Sequence, residues 1–316
     1  MPAQVETMFY VKETPWHGLG TKLDGSPLLS QAIEASGLDW DVGLKRLVTV
    51  DDEPVAANAT YRKSDGSILG VVGPRYLPLQ NRDAFNWFQP FIDSGLASLH
   101  TAGSLFNGKK VWVLAEIQKE QSEIVPGDSV AKFILLSNSH DGSTAIRVGF
   151  TPIRVVCANT LAAAHSKLTS KLIRIRHTAS SKINLDMLRS IMDVINSEFE
   201  ATAEQYRFLA SRNFNKKDIA AYVKRVLGVS TSEGSEIPTR TKNIMDEIMA
   251  KIEGGIGQEN PSVTGTWWAA YNGVTEYLSY SKGRNAQNRI DSLWFGPTGN
   301  QNYRALELAL EFSNAA

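Results

Sequence analysis

Between Ser137 and Leu161 the sequence crowds together a histidine, an aspartate, two asparagines, several hydroxyls, two arginines and its only cysteine. In Ser137-Asn138-Ser139-His140-Asp141-Gly142-Ser143, His140 and Asp141 could pass protons or ligate a metal. Turn chemistry explains the same residues: Asp141-Gly142 suits a type I′ hairpin turn, and Asn and Ser are turn formers. Trp16-His17-Gly18-Leu19-Gly20 is a second polar-aromatic element, whose His17 could meet His140 in space. Its glycines also fit a backbone that needs positive φ or close approach. Cys157 follows the β-branched Val155 and Val156 and is expected to be buried rather than nucleophilic.

Other chemistries lack their residues. The sequence has no cysteine pair, no two histidines at helical spacing and no His-x-Glu with downstream cysteines. No metal or cofactor is therefore expected. Gly70-Val71-Val72-Gly73 lacks the Lys-Ser/Thr of a nucleotide-hydrolysing loop, and no Gly-x-Ser-x-Gly elbow occurs.

Charge is informative by its distribution. The 316 residues carry 33 basic and 33 acidic side chains, which argues against a protein that coats nucleic acid indiscriminately. From Lys132 to Arg189, however, nine residues are basic and only Asp141 and Asp186 are acidic. Such a stretch is either a phosphate-tracking surface or a solvated face balanced by acids folded nearby. Aromatic and basic residues also interleave at Arg75-Tyr76 and from Trp267 to Arg289, as single-strand binding requires. Trp267, Tyr271 and Val274 share one helical face, so core packing explains that second set better.

The elements that position these residues follow from periodicity. Residues 1–40 read as an irregular start followed by a short helix near Leu29. Strands are expected at 45–50, 55–62 and 68–72, with Ser64-Asp65-Gly66-Ser67 turning the last pair. A helix over 81–93 is interrupted near its end by Pro90. Hairpins follow at 96–105/110–117, turning at Asn107-Gly108, and at 130–136/144–150, turning near Asp141-Gly142. Residues 155–165 begin as a strand and become helical. Beyond Leu185, helices are expected at 185–208, 217–227, 240–251, 267–281 and 303–312. The fold class is thus α+β: an antiparallel, hairpin-rich sheet packed with helices, then a mainly helical C-terminal half. The division expected is an α+β body over 1–184 and a helical region over 185–316 that packs on it or continues it.

The single cysteine excludes an internal disulfide and suits a reducing compartment. The start of the chain lacks the pattern of a signal peptide, and no apolar run approaches the ~18 residues that span a bilayer. A cytoplasmic protein without membrane contact is expected.

Motifs along almost the whole chain resemble a known family. They are Pro15-Trp16-His17-Gly18-Leu19-Gly20, Tyr76-x-Pro78-x-Gln80-Asn81, Ala102-Gly103-Ser104-Leu105 with Gly108, and Ser139-His140-Asp141-Gly142-Ser143. They continue through Pro152-x-Arg154-Val155-Val156-Cys157-x-Asn159-Thr160-Leu161 and Gly265-Thr266-x-Trp268-x-Ala270-Tyr271-Asn272-x-Val274-Thr275-Glu276-Tyr277. The chain resembles the phage/plasmid-like proteins, an uncharacterised family of phages, plasmids and integrative elements. That resemblance implies a setting in mobile DNA, near recombination and replication proteins. Hairpins around a helix with a basic strand region are also similar to the core of single-strand annealing proteins, a likeness of architecture alone.

The reading that follows is a phage or plasmid protein that binds single-stranded DNA and promotes annealing as a homo-oligomer, without nucleotide hydrolysis. Arg147, Arg154, Lys171, Arg174 and Arg176, with Arg75, would hold phosphates, and Tyr76 would stack on bases. Asn159, His140 and Gly142 would orient the loop. Two alternatives stay open: a metal-dependent nuclease or hydrolase using His140, Asp141 and His17, and a non-enzymatic counter-defence or structural protein.

Overall fold

The computed structural model describes residues 5–11, 20–154, 156, 173–177, 185–229, 237–283, 289, 292–293 and 296–315. The fold is α+β, with strands gathered in the N-terminal half and helices mostly in the C-terminal half.

The strands are β1 (Val5–Val11), β2 (Thr21–Leu23), β3 (Val42–Val48), β4 (Pro54–Arg62), β5 (Ile68–Val72), β6 (Ala97–Leu105), β7 (Lys110–Val125), β8 (Asp128–Ser139), β9 (Ile146–Arg154) and β10 (Ile173–Ile175). They form a seven-stranded sheet of order β10-β9-β8-β7-β6-β1-β2 and a three-stranded sheet of order β3-β4-β5. Helices α1 (Leu29–Ala35), α2 (Asn81–Asn86) and α3 (Gln89–Asp93) lie among the strands. After them come α4 (Leu185–Ala210), α5 (Lys216–Val226), α6 (Thr239–Gly254), α7 (Trp267–Glu276), a π-helical turn over Tyr277–Ser281, and α8 (Pro297–Ala315).

Three local outcomes differ from the sequence expectation. The start of the chain is not irregular: Val5–Val11 is a strand, antiparallel to β6 and parallel to β2. Its residues Met8 to Val11 are all buried, so both faces are covered and no alternation marks it. β7 runs eight residues beyond Ile117, through the polar Gln118–Glu123. Along its far end Ser122 and Ile124 are buried while Gln121 and Glu123 are exposed, the period of two that pairing imposes. The stretch from Asn81 to Asp93 is broken at Trp87-Phe88, and Pro90 sits in the first turn of α3, where its missing N–H costs nothing. The expected strand-to-helix segment at 155–165 lies outside the described residues, apart from Val156.

Compactness divides the chain into two units. One comprises residues 1–119, 133–149 and 171–193; the other comprises 120–132, 150–170 and 194–316. The division is discontinuous, since β7, β8 and α4 each give residues to both units and β9 changes unit at Phe150.

In the second unit α7 is the central element. Thr266 caps it, with its Oγ1 accepting from the Ala269 N–H at 3.2 Å. Every residue from Trp267 to Glu276 is buried, which places the Trp267/Trp268/Tyr271 set in the core. Each buried indole removes roughly 200 Å² from water, worth about 5 kcal/mol before entropy. Helices α6 and α7 touch at backbone distance: a methyl added at Gly273 would lie 2.7 Å from the Ile252 nitrogen. Gly273→Ala must push these helices apart, and a loss of about 1–3 kcal/mol is expected. A urea midpoint unchanged from the parent protein would contradict this packing.

Candidate functional site

β8 ends in Ser137-Asn138-Ser139 and His140 follows in the turn, four polar residues that are each at most 3% exposed. Buried polar groups need partners, and His140 is held from four directions. Its N–H donates to the Lys109 carbonyl at 2.7 Å, in the turn joining β6 to β7. Its carbonyl accepts from Thr60 Oγ1 of β4 at 2.7 Å. Its ring Nε2 lies 2.9 Å from Asn81 Oδ1, at the start of α2. Trp40 meets the imidazole edge-on, with centroids 5.4 Å apart.

The bonds of Asn81 decide the tautomer. Asn81 Nδ2 donates to the Leu38 and Trp40 carbonyls at 3.1 and 3.3 Å, which leaves Oδ1 to accept from His140. The proton therefore sits on Nε2, and Nδ1 is the acceptor that faces Asn138 Nδ2 at 3.5 Å. Burial, helped by His177 and Arg62 and opposed by Asp141, pushes the imidazole down to about 3. His140 is thus neutral at ordinary pH, with both ring nitrogens engaged. Its geometry is that of a clamp joining β4, α2, β8 and the β6–β7 turn.

The following turn is fixed by side chains as well. Asp141 Oδ1 accepts from the Ser143 N–H at 2.9 Å, and Ser139 Oγ bonds both the Thr144 N–H and its carbonyl at 2.9 Å. Gly142 has φ of +74° but Asp141 does not share the left-handed region. The turn is therefore an Asx-type loop rather than the expected type I′ turn, which needs positive φ at both central residues. Gly70 of β5 lets this loop sit flush on the three-stranded sheet, since a methyl there would lie 2.5 Å from Asp141 Cα.

Tyr76 is tied to the same loop. Its hydroxyl donates to the Ser139 carbonyl at 2.9 Å, and its ring stacks on His177 with centroids 4.5 Å apart. Burial pushes the hydroxyl pKa up, and Asp141 adds to the shift. The sequence points to Tyr76 as a base-stacking residue; in the structure it is a strut, one face of which a nucleobase reaches only by displacing His177. The Leu77 N–H donates to the His177 carbonyl at 3.0 Å, so the exposed Arg75 belongs to a segment running alongside the exposed Arg176. In the β9–β10 ladder, residue 174 is directly opposite residue 147, on the outermost strand of the sheet.

Arg154 corrects the expectation for the basic stretch. It is fully buried in the second unit. Nε and Nη2 grip the Asp128 carboxylate, at 2.9 Å to Oδ1 and 2.6 Å to Oδ2. Nη1 and Nη2 also donate to the Ile256 and Gly257 carbonyls at 3.1 and 2.9 Å. Trp268 Nε1 donates to Asp128 Oδ2 at 2.8 Å. A guanidinium so enclosed is structural and does not hold phosphate. Lys132 is likewise buried, its ammonium 4.8 Å from the Phe199 ring centroid. The cations from Lys132 to Arg189 thus do not act as one surface. Sequence reasoning missed Asp128, whose only signal is an acid at the head of the strand that carries the apolar run Phe133 to Leu136. It also missed Asn81 as the partner of His140.

Lys171, Asn159 and His17, together with the Trp16–Leu19 motif and Cys157, lie outside the described residues. Among the described residues no three His, Cys, Asp or Glu side chains are grouped so as to hold a metal ion. No described helix is long and apolar enough to cross a membrane.

Fold and site together define an α+β protein whose polar motif is a buried, side-chain-clamped loop beside an arginine-bearing sheet edge. The chain belongs to the family described as Domain of unknown function (DUF932), which matches residues 68–294, more than half its length. Among curated proteins and solved structures nothing matches it.

Proposed function

We propose that this protein binds single-stranded DNA along the β9–β10 edge and promotes strand annealing as a homo-oligomer in the cytoplasm, without nucleotide hydrolysis. Recombination or replication proteins of a phage or plasmid would be its partners. The observation that carries the reading is the meeting of arginine positions from three segments. Arg147 and Arg174 are register partners at the sheet edge, and the Tyr76–His177 stack draws the Arg75 segment beside Arg176. The mobile-element setting comes from the family resemblance of the motifs, and the annealing step from the hairpin architecture.

The site's rigidity suits this role. His140 fixes the loop that Tyr76 braces, so the arginine-bearing segments are held in place before any ligand arrives, which lowers the ordering cost of binding. The test is fluorescence anisotropy with a labelled single-stranded oligonucleotide at low ionic strength. Binding that weakens steeply with salt, and weakens further in Arg75→Ala/Arg176→Ala, is expected. No salt-sensitive binding at low ionic strength would overturn the proposal.

A further inference from the structure

The β3–β4 hairpin pairs with β5 from Asn58 to Tyr61 and projects beyond that pairing as a two-stranded ribbon. From Leu44 to Ala56 every residue but Leu47 is exposed, including Leu44 at 37%, Val48 at 54%, Val50 at 102% and Val55 at 43%. Its tip is ordered all the same. The Thr49 N–H donates to the Glu53 carbonyl at 2.8 Å, and the Glu53 N–H to Thr49 Oγ1 at 3.1 Å. Isolated two-stranded hairpins are marginal in water, so an ordered ribbon with exposed valines on it calls for a partner surface.

The charges on the ribbon say which partner. Lys45 and Arg46 lie on β3, and Asp51, Asp52 and Glu53 form the tip, about 15–20 Å away along the strand. None of the five makes an ion pair with a described residue; Lys45 only caps the Tyr61 ring at 4.2 Å. The ribbon is basic towards its base, apolar in the middle and acidic at its end. Laid antiparallel on its own copy, it sets each acidic tip against the other's Lys45 and Arg46, with valines between. An isologous interface needs only this one patch, whereas the near-cancelling charges suit neither a polyanion nor a strongly charged protein partner.

We infer that the β3–β4 hairpin is a self-association arm that pairs antiparallel with the same arm of a second copy. The inference stands apart from the nucleic-acid reading, because it concerns another surface and is measured without nucleic acid. Sedimentation velocity of the full chain over a concentration series should show reversible dimerisation that weakens with salt. Lys45→Glu/Arg46→Glu and Asp51→Lys/Asp52→Lys should each weaken it at least about tenfold, while their melting temperatures stay close to the parent's because the positions are exposed. Mixed together, the two variants should dimerise again, since each then offers the charge the other lacks. A parent protein that stays monomeric at every concentration overturns the inference, as do variants that dimerise like the parent or a mixture that stays monomeric.

Discussion

Asp128→Ala is expected to be the most damaging single substitution among the described residues, costing about 3–5 kcal/mol. The carboxylate is 1% exposed and accepts from two guanidinium nitrogens and the Trp268 indole. Its removal leaves the buried Arg154 charge without this carboxylate, and the cost is that of a buried ion stripped of the acid that grips it rather than of a missing attraction. The paired substitution Asp128→Leu/Arg154→Met should therefore be much milder than Asp128→Ala, because apolar residues of similar volume can replace a buried pair with little net loss. Urea unfolding followed by tryptophan fluorescence separates the cases, since Trp268 touches the pair. A double variant as unstable as the single one would show that packing, not the orphaned charge, dominates.

The next largest effect is expected at Asn81. Asn81→Leu strips the Nε2–H of His140 of its acceptor and the Trp40 carbonyl of its Asn81 donor, while the Leu38 carbonyl keeps the Trp40 N–H at 2.8 Å. With buried unsatisfied groups costing about 1–3 kcal/mol each, a total loss of at least about 2 kcal/mol is expected from the two. The clamp also makes stability depend on pH. The folded state holds His140 neutral down to about 3, while the unfolded chain protonates it near its ordinary value of about 6.5. The stabilisation is therefore complete above about pH 6.5 and declines as pH falls towards 3, by up to about 1.4 kcal/mol per unit. His140→Phe should be less stable at pH 7 but should lack this part of the acid sensitivity. Unfolding curves at pH 7 and 4.5 for parent and variant check the sign: equal losses on acidification would contradict a buried neutral imidazole.

Much of the architecture is legible in the sequence because local chemistry and tertiary outcome agree. Ser64-Asp65-Gly66-Ser67 turns β4 into β5 with Asp65 Oδ1 accepting from the Ser67 N–H at 2.9 Å, as a polar turn between apolar runs predicts. The stripe of Trp267, Tyr271 and Val274 is core because its helix is buried all round. Elements that depend on distant partners are not legible. β1 is too covered to alternate, and the polar end of β7 is a strand only because the sheet continues through it. The same distinction governs the site. His140 stands out as a residue of interest, but its meaning lies in Asn81 and Thr60, 59 and 80 residues away in sequence. Arg154 looks like part of a basic surface because the acid that neutralises it sits 26 residues earlier, before the basic stretch begins.

The salt dependence of oligonucleotide binding tests the central claim most directly. Each phosphate that a single-strand complex no longer neutralises makes the slope of log affinity against log salt shallower by about 0.7. For Arg147→Ala/Arg174→Ala, which removes both members of the β9–β10 register pair, the slope should flatten by about 1.4 from the parent value, whereas Asp128→Leu/Arg154→Met should keep it. A parent protein whose binding does not respond to salt, or a register-pair variant with the parental slope, would contradict the account.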